Sequence, residues 1–69
     1  MFKELDVVAL TVDLPKEGLV TGNVGTVVHV YAPGAYEVEF VDNDGKTYGL
    51  LTLKAEQMMR LQFAQVAAA

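Results

Sequence analysis

The segment GLVTGNVGTVVHVY, residues 18–31, has two interpretations in this 69-residue chain: a phosphate-binding loop or a bent barrel strand. A nucleotide-binding turn needs G-x-G-x-x-G, or G-x-x-x-x-G-K-[ST], between a strand and a helix. Here Gly18, Gly22 and Gly25 are spaced G-x-x-x-G-x-x-G, no lysine follows, and the next residues are β-branched. We therefore expect Gly22 and Gly25 to permit a tight turn and a strongly bent strand in which a side chain would collide.

The apolar residues on both sides of this segment follow the two-residue period of strands. The clearest case is AYEVEFV, in which Tyr36, Val38 and Phe40 alternate with two glutamates. The stretch DNDGK, residues 42–46, predicts a hairpin turn because Asp-Gly supplies a positive φ. The predicted elements are a strand at 6–12 with Val8, Leu10 and Val12 pointing inward, a loop at 13–23, strands at 24–31, 35–41 and 47–53, a helical turn at 54–57 and a strand at 58–61.

These elements predict an all-β fold, a small five-stranded SH3-like barrel that is partly open, with one helical turn before the last strand. The rival is a five-stranded oligonucleotide-binding barrel, which normally has a helix between its third and fourth strands. The turn at 42–46 leaves no room for that helix. We expect one domain at 1–61, followed by a tail at 62–69 that is either frayed or docked on a partner.

Composition narrows the functions that are open to so small a domain. The chain has no cysteine, which removes disulfides and thiolate zinc sites, and its single histidine, His29, cannot form a multi-histidine site. No cofactor is therefore expected. Hydrophobic residues make up 52% of the chain, a large share for a domain with so much surface. We expect an exposed apolar patch that meets a second copy, as in a homodimer, or another protein.

The net charge of −4 favours a protein partner over a nucleic acid. Phosphate backbones are bound largely by Lys and Arg, and this chain has five such residues, scattered along the sequence. An acidic surface suits a basic protein partner. The first ten residues lack the shape of a signal peptide, and no stretch approaches the ~20 apolar residues that cross a bilayer. The expected location is the cytoplasm, without membrane association.

The acidic residues Glu37, Glu39, Asp42 and Asp44 have an ordinary explanation. The order D-x-D-G resembles part of a calcium loop, but the twelfth position from Asp42 is Leu53 and not the glutamate that such a loop needs. A hairpin turn beside a solvated acidic strand face is the preferred interpretation. A general acid–base pair is not supported, because nothing apolar near the two glutamates would raise a pKa.

No nucleophile accompanies His29, since the chain contains neither serine nor cysteine. A Ser/His or Cys/His arrangement is therefore excluded within one chain, and we expect no catalytic residues and no enzyme activity. His29 alternates with two valines and should point outward. The predicted partner-binding residues are Tyr31, Tyr48, Leu50, His29, Glu37 and Glu39.

Which of the apolar residues in this set point outward depends on the geometry of their strands. Leu50 and its neighbour Leu51 cannot both point inward on a regular strand. Tyr31, Tyr48 and Leu50 therefore either form an exposed patch of the kind that anchors protein interfaces, or are covered by the tail through Phe63 and Val66. The sequence leaves both possibilities open.

The segments DVVAL, EGLVTGNVGTVVHVY, YEVEF and GKTYGLLTLKAEQ occur in this order between residues 2 and about 61. Together they resemble a bacterial family of small domains known as domain of unknown function 4926. The resemblance implies an SH3-like barrel and no established activity. GNVGTVVHV also looks like the glycine-then-valine strand of KOW domains and like the barrel of the nitrile hydratase β subunit, which supports the fold more than a function.

The functional expectation is a non-enzymatic, acidic protein-interaction module. One specific form is an antitoxin-like or immunity-like inhibitor of a basic partner. The alternative is a KOW-like domain associated with nucleic acid or the ribosome, for which the expected basic residues are missing.

Overall fold

The computed structural model describes residues 2–42 and 44–62, apart from the side chain of Tyr48. These residues form five strands and two single 3-10 turns. The strands are β1 (Val7–Leu10), β2 (Val24–Val30), β3 (Ala35–Val41), β4 (Thr47–Lys54) and β5 (Met58–Arg60), and the turns span Pro15–Glu17 and Ala55–Gln57.

All strand pairs are antiparallel, and the order across the sheet is β4-β3-β2-β1-β5. The first four strands follow one another as a meander, and β5 returns to pair with β1. This arrangement confirms the predicted all-β fold, with five strands in one open sheet and a helical turn directly before the last strand. Among the described residues, no helix is long and apolar enough to span a bilayer.

The inner face of the curved sheet carries the hydrophobic core. The alternation in β3 is confirmed, because Tyr36, Val38 and Phe40 are all buried. Phe2 packs edge-on against Tyr36 with the ring centroids 5.4 Å apart, which extends the core toward the start of the chain. No polar or charged residue is buried in the described part of the chain, so apolar burial stabilises this core. The other buried core residues are Val8, Leu10, Leu19, Val27, Leu53 and Met58.

The glycines of the opening segment have the predicted structural roles. Gly22 has a φ of +94°, which only glycine adopts without strain. Gly25 is buried in β2, where an added Cβ atom would lie 2.8 Å from Val38 Cγ1 and 2.9 Å from Phe40 Cδ1. The close approach of β3 explains why a side chain cannot be accommodated there.

The prediction for the end of β1 is wrong at Val12. The strand ends at Leu10, and Val12 is exposed instead of pointing into the core. The reason is that the pairing with the β2 side ends at Leu10, whose N–H donates to the carbonyl of Asn23 and whose carbonyl accepts the N–H of Gly22. The N–H of Thr11 continues only the pairing toward β5, by donating to the carbonyl of Gln57 at 2.9 Å, so the alternation of the strand does not reach Val12.

The loop between β1 and β2 contributes a core residue that the sequence analysis did not identify. Leu19 is only 1% exposed, and its Cδ1 lies 3.9 Å from the position that a Cβ atom on Gly49 of β4 would occupy. Two backbone hydrogen bonds between Leu14 and Leu19, of 2.9 and 3.2 Å, close this part of the loop. The Asp13 carboxylate accepts the backbone N–H and the hydroxyl of Thr21 at 2.8 and 2.9 Å. The loop therefore folds back so that the Leu19 side chain fills the part of the core beside Gly49 of β4.

The predicted tail falls, from residue 63 onward, outside the described residues. The same is true of Phe63 and Val66, which were expected to cover the aromatic residues if the tail folds back. The domain boundary at residue 61 stays a prediction.

Candidate interaction surface

The outer face of β2, β3 and β4 brings most of the predicted partner-binding residues together. In the register of the sheet, His29 lies opposite Glu37, which in turn lies opposite Thr52. In a neighbouring row, Glu39 lies opposite Leu50. We call this surface, consisting of His29, Tyr31, Glu37, Glu39, Leu50 and Thr52, the acidic face.

A β-bulge in β2 helps to place His29 on this face. The register shifts between Val27 and His29, so that Val28 has no partner of its own in β3. Val27 is buried, whereas Val28 and His29 are both exposed. The outward position of His29 is confirmed, but strict alternation from the buried Val27 would have exposed Val28 and turned His29 inward. The bulge at Val28 turns His29 to solvent as well, an effect that the sequence pattern does not reveal.

Glu37 is the hydrogen-bonding centre of the acidic face. Its Oε1 atom accepts the Tyr31 hydroxyl at 3.1 Å and the Thr52 hydroxyl at 2.9 Å. The hydrogen bond to Glu37 raises the pKa of the Tyr31 hydroxyl, with further contributions from desolvation and from the negative charge of Glu37. Tyr31 therefore remains a protonated donor and holds the carboxylate in place. The second oxygen of Glu37 carries no hydrogen bond among those found in the described residues.

His29 joins the acidic face to the beginning of the chain. Its ring lies edge-on to Tyr31, with the centroids 4.7 Å apart and an angle of 72° between the planes. Its Nδ1 atom lies 3.8 Å from Oε2 of Glu4. Both partners of this pair are well exposed, so the ion pair forms only when the imidazole is protonated and contributes little stability.

Glu39 and Leu50 occupy the row nearer to the β3–β4 turn. The hydroxyl of Thr47 donates to Oε2 of Glu39, and this contact draws the carboxylate toward β4. Leu50 is 56% exposed and Leu51 packs against the core, which confirms that only one of the two points inward. The side chain of Tyr48 lies outside the described structure.

Tyr31 and Leu50 are both exposed within the described residues, but they do not adjoin each other. The N–H of Tyr31 donates to the carbonyl of Ala35, two residues before Glu37 in β3, whereas Leu50 lies opposite Glu39, two residues after it. The cross-strand row that contains His29, Glu37 and Thr52 therefore lies between the two apolar side chains. The exposed surface is better described as carboxylates bordered by apolar groups than as one apolar patch.

The acidic residues of the β3–β4 connection form a turn. Oδ1 of Asp42 accepts the backbone N–H groups of Asp44 at 2.9 Å and of Lys46 at 3.0 Å. This is the local bonding of an Asx turn, and it supports the predicted hairpin. In residues 2–42 and 44–62, no group of three or more histidine or acidic side chains is placed to hold a metal ion.

The acidic face can accept cations and hydrogen-bond donors from a partner. Strands β2 to β4 carry Glu37 and Glu39 but, apart from His29, a single basic side chain, Lys54 at the end of β4. Exposed carboxylates pair with Lys or Arg side chains, and the half-exposed ring of Tyr31 offers a surface for a cation–π contact. Hydroxyl groups already fix one oxygen of each carboxylate, so binding a cation would require little further ordering.

Comparison with known proteins identifies one family. The family model described as Domain of unknown function (DUF4926) matches residues 4–60, which include every strand. No curated protein and no solved structure matches the chain.

Proposed function

We propose that this chain, which belongs to the DUF4926 family of domains of unknown function, is a non-enzymatic protein-interaction domain. Its acidic face binds a basic surface of a partner protein. A specific form of this function is an inhibitor that neutralises a basic enzyme by covering its cationic site.

The arrangement of Glu37 carries this proposal. Tyr31 and Thr52 hold one carboxylate oxygen, and the exposed residue His29 lies opposite Glu37 in the β2–β3 ladder. Glu39 is held in the same way by Thr47. Two oriented carboxylates on neighbouring rows of a rigid sheet match the spacing of cationic side chains on a partner's surface better than mobile surface acids do.

The overall charge supports the same conclusion. With a formal net charge of −4, the domain attracts basic proteins at long range, and this attraction accelerates encounter. The oriented carboxylates then determine the geometry of the complex. Binding is expected to weaken as salt concentration rises, since the contacts involve exposed charges.

The test compares two double variants that remove the same charge from different places. Glu37→Gln with Glu39→Gln changes the acidic face, whereas Glu17→Gln with Glu56→Gln changes the exposed acids of the two 3-10 turns. Basic proteins are captured from extracts of the source cells on the immobilised domain, and the affinity of each captured protein is measured by calorimetry. The first double variant should lose at least about tenfold in affinity, and the second should bind almost as the wild type does.

Equal losses in the two double variants would mean that net charge alone attracts the partner, and would refute the assignment to the acidic face. The absence of any captured protein above background would refute the interaction function itself. A parallel titration with single-stranded RNA at low salt tests the KOW-like alternative. We expect no binding, because the five basic residues are scattered along the sequence.

A further inference from the structure

The two edges of the sheet differ sharply in length and chemistry. One edge is β5, a strand of three residues that ends with the charged Arg60. The other edge is β4, which has eight residues and is the longest strand of the sheet. Short strands and charged side chains are the usual means of protecting an edge from pairing with other chains. Strand β5 has both features, and β4 has neither along most of its length.

Strand β4 has little such protection beyond a register shift against β3 between Thr47 and Gly49, near its beginning. From Thr47 to Leu53 it contains no charged residue and no proline. In the part of the chain that the structure describes, its backbone pairs with β3 alone, so alternate N–H and C=O groups point away from the sheet. Leu50, in the middle of the strand, is 56% exposed.

We propose that two copies of this chain pair antiparallel along β4 and join their sheets into one continuous sheet. A twofold axis through the middle of β4 makes the edge complementary to itself, so one surface serves both subunits. The free backbone groups of each edge find partners, and the Leu50 side chains are brought together at the centre of the seam. Main-chain hydrogen bonds supply affinity in this mode of association.

The charges on the outer face favour the antiparallel orientation. Lys54 lies opposite Ala35 in the register and therefore shares the outer face with Glu39. Antiparallel pairing with the two Leu50 residues opposite each other carries Lys54 of one copy to the Thr47 end of the other. Lys46 adds one positive charge at that end, but Glu39, Asp42 and Asp44 add three negative ones. There the Glu39 carboxylate is drawn over β4 by its hydrogen bond with Thr47. Glu39 lies two strand spacings, about 10 Å, from the β4 strand of the second copy, and the hydrogen bond with Thr47 brings its carboxylate within the reach of the lysine side chain. Two such pairs, one at each end of the seam, offset the repulsion between two acidic copies.

This association does not depend on the proposed function, although the two share part of the acidic face. The seam involves Leu50 and Glu39, and it leaves Glu37, Tyr31 and His29 accessible on each copy. The domain can therefore pair with itself even if no basic partner binds, and the two ideas can fail independently.

The test measures the mass of the full chain in solution by analytical ultracentrifugation, up to the highest soluble concentration. The wild type should form a dimer. Leu50→Lys places two like charges in the seam and should raise the dimer Kd by at least about tenfold. Met59→Lys is the matched control, because Met59 is 52% exposed on the opposite edge strand. It should dimerise as the wild type does.

A second pair of variants tests the orientation. Lys54→Glu replaces the attraction to Glu39 by repulsion and should weaken the dimer, whereas Lys16→Glu makes the same charge change in the β1–β2 loop and should not. Circular dichroism confirms that each variant is folded.

A measurement on the wild type alone complements these variants. Amide hydrogens of β4 should exchange more slowly as protein concentration rises, and those of β5 should not change.

A wild-type chain that stays monomeric at every concentration would overturn this inference. So would equal weakening of the dimer by Leu50→Lys and Met59→Lys, or protection of β5 in place of β4. Loss of the dimer in Lys16→Glu to the same extent as in Lys54→Glu would overturn the antiparallel orientation.

Discussion

Gly25 and Phe40 lie directly opposite each other in the β2–β3 ladder, and the Phe40 ring fills the space that a side chain at Gly25 would need. An added Cβ atom would lie 2.9 Å from Phe40 Cδ1 and 2.9 Å from the backbone carbonyl oxygen of Glu39. On its other side Phe40 lies opposite Gly49 of β4, where an added Cβ atom would keep an ordinary distance of 3.8 Å from Phe40 Cβ. The ring is therefore tightly constrained on one side only.

Gly25→Ala should lower the free energy of unfolding by about 1–3 kcal/mol, because the backbone of β3 cannot move away without disturbing the core. Gly49→Ala is the matched control on the other side of the same ring, and it should change the stability by less than about 1 kcal/mol. Denaturation with urea, monitored by circular dichroism, measures both. Equal stabilities for the two variants would contradict the asymmetric packing of Phe40.

Leu5 should be replaceable by glycine with a gain in stability. Its φ is +75°, a conformation that costs a leucine about 1–2 kcal/mol, and its side chain is 80% exposed. A hydrogen bond from its N–H to the carbonyl of Val27, 2.7 Å long, holds this conformation. Since glycine carries an entropy cost of about 0.5–1 kcal/mol, Leu5→Gly should raise the free energy of unfolding by up to about 1.5 kcal/mol.

Lys3→Gly provides the control for Leu5→Gly, since it introduces glycine into the same segment at a position without a positive φ. It should destabilise the domain. A Leu5→Gly variant that loses as much stability as Lys3→Gly would show that the leucine side chain contributes more than its strain removes.

The stability contributed by Asp13 should disappear in acid. Its backbone hydrogen bond with Thr21, followed by the hydrogen bond with the Thr21 hydroxyl, lowers the pKa of the Asp13 carboxyl in the folded state. A lowered folded pKa means that the stabilisation is complete above the unfolded pKa of about 3.9 and is lost as the pH falls through the folded value. Asp13→Asn should therefore be less stable than the wild type at neutral pH, and the difference should shrink below about pH 4.

Thermal unfolding of the wild type and Asp13→Asn across the acidic range measures this effect. Glu17→Gln, in the same loop, makes the same charge change and should show no comparable loss at neutral pH. A difference between the wild type and Asp13→Asn that is independent of pH would contradict a role for the ionised carboxylate.

The hydrogen bond between Tyr31 and Glu37 should be visible in the titration of the tyrosine. Because the Glu37 carboxylate raises the pKa of Tyr31, Glu37→Gln should lower that pKa toward the ordinary value for tyrosine. Glu39→Gln is the control, since Glu39 bonds Thr47 and not Tyr31. The ultraviolet absorbance of the phenolate follows the titration, and Tyr31→Phe identifies the contribution of Tyr31. A titration that is the same in the two glutamine variants would contradict the geometry of the acidic face.

The sequence predicted the sheet well wherever apolar and polar residues alternate regularly along a whole strand. In β3 the alternation of Tyr36, Val38 and Phe40 with two glutamates identified the buried face and the exposed face correctly. The turn at 42–46 was predictable as well, because its bonding is local. Such patterns depend on residues that are close in sequence, which a single chain displays directly.

The features that sequence analysis missed depend on contacts between distant residues. Leu19 lies among glycines and charged residues and resembles an ordinary loop residue, yet its side chain reaches β4. The bulge at Val28 depends on how β2 pairs with β3, and the exposure of Val12 follows from the end of the pairing with the β2 side at Leu10. The candidate site was predicted residue by residue, whereas the hydrogen bonds that orient it, such as Thr52 to Glu37, could be seen only once the register was known.

Burial of Leu19 determines where this domain can be extended by protein engineering. The β1–β2 loop is the longest connection and the obvious choice for grafting a foreign peptide, but an insertion beside Leu19 would withdraw a side chain from the core. The β3–β4 turn is the better choice, since Asp44, Gly45 and Lys46 are exposed there. A library of binding variants built on this scaffold should therefore diversify the short turn and keep the long loop unchanged.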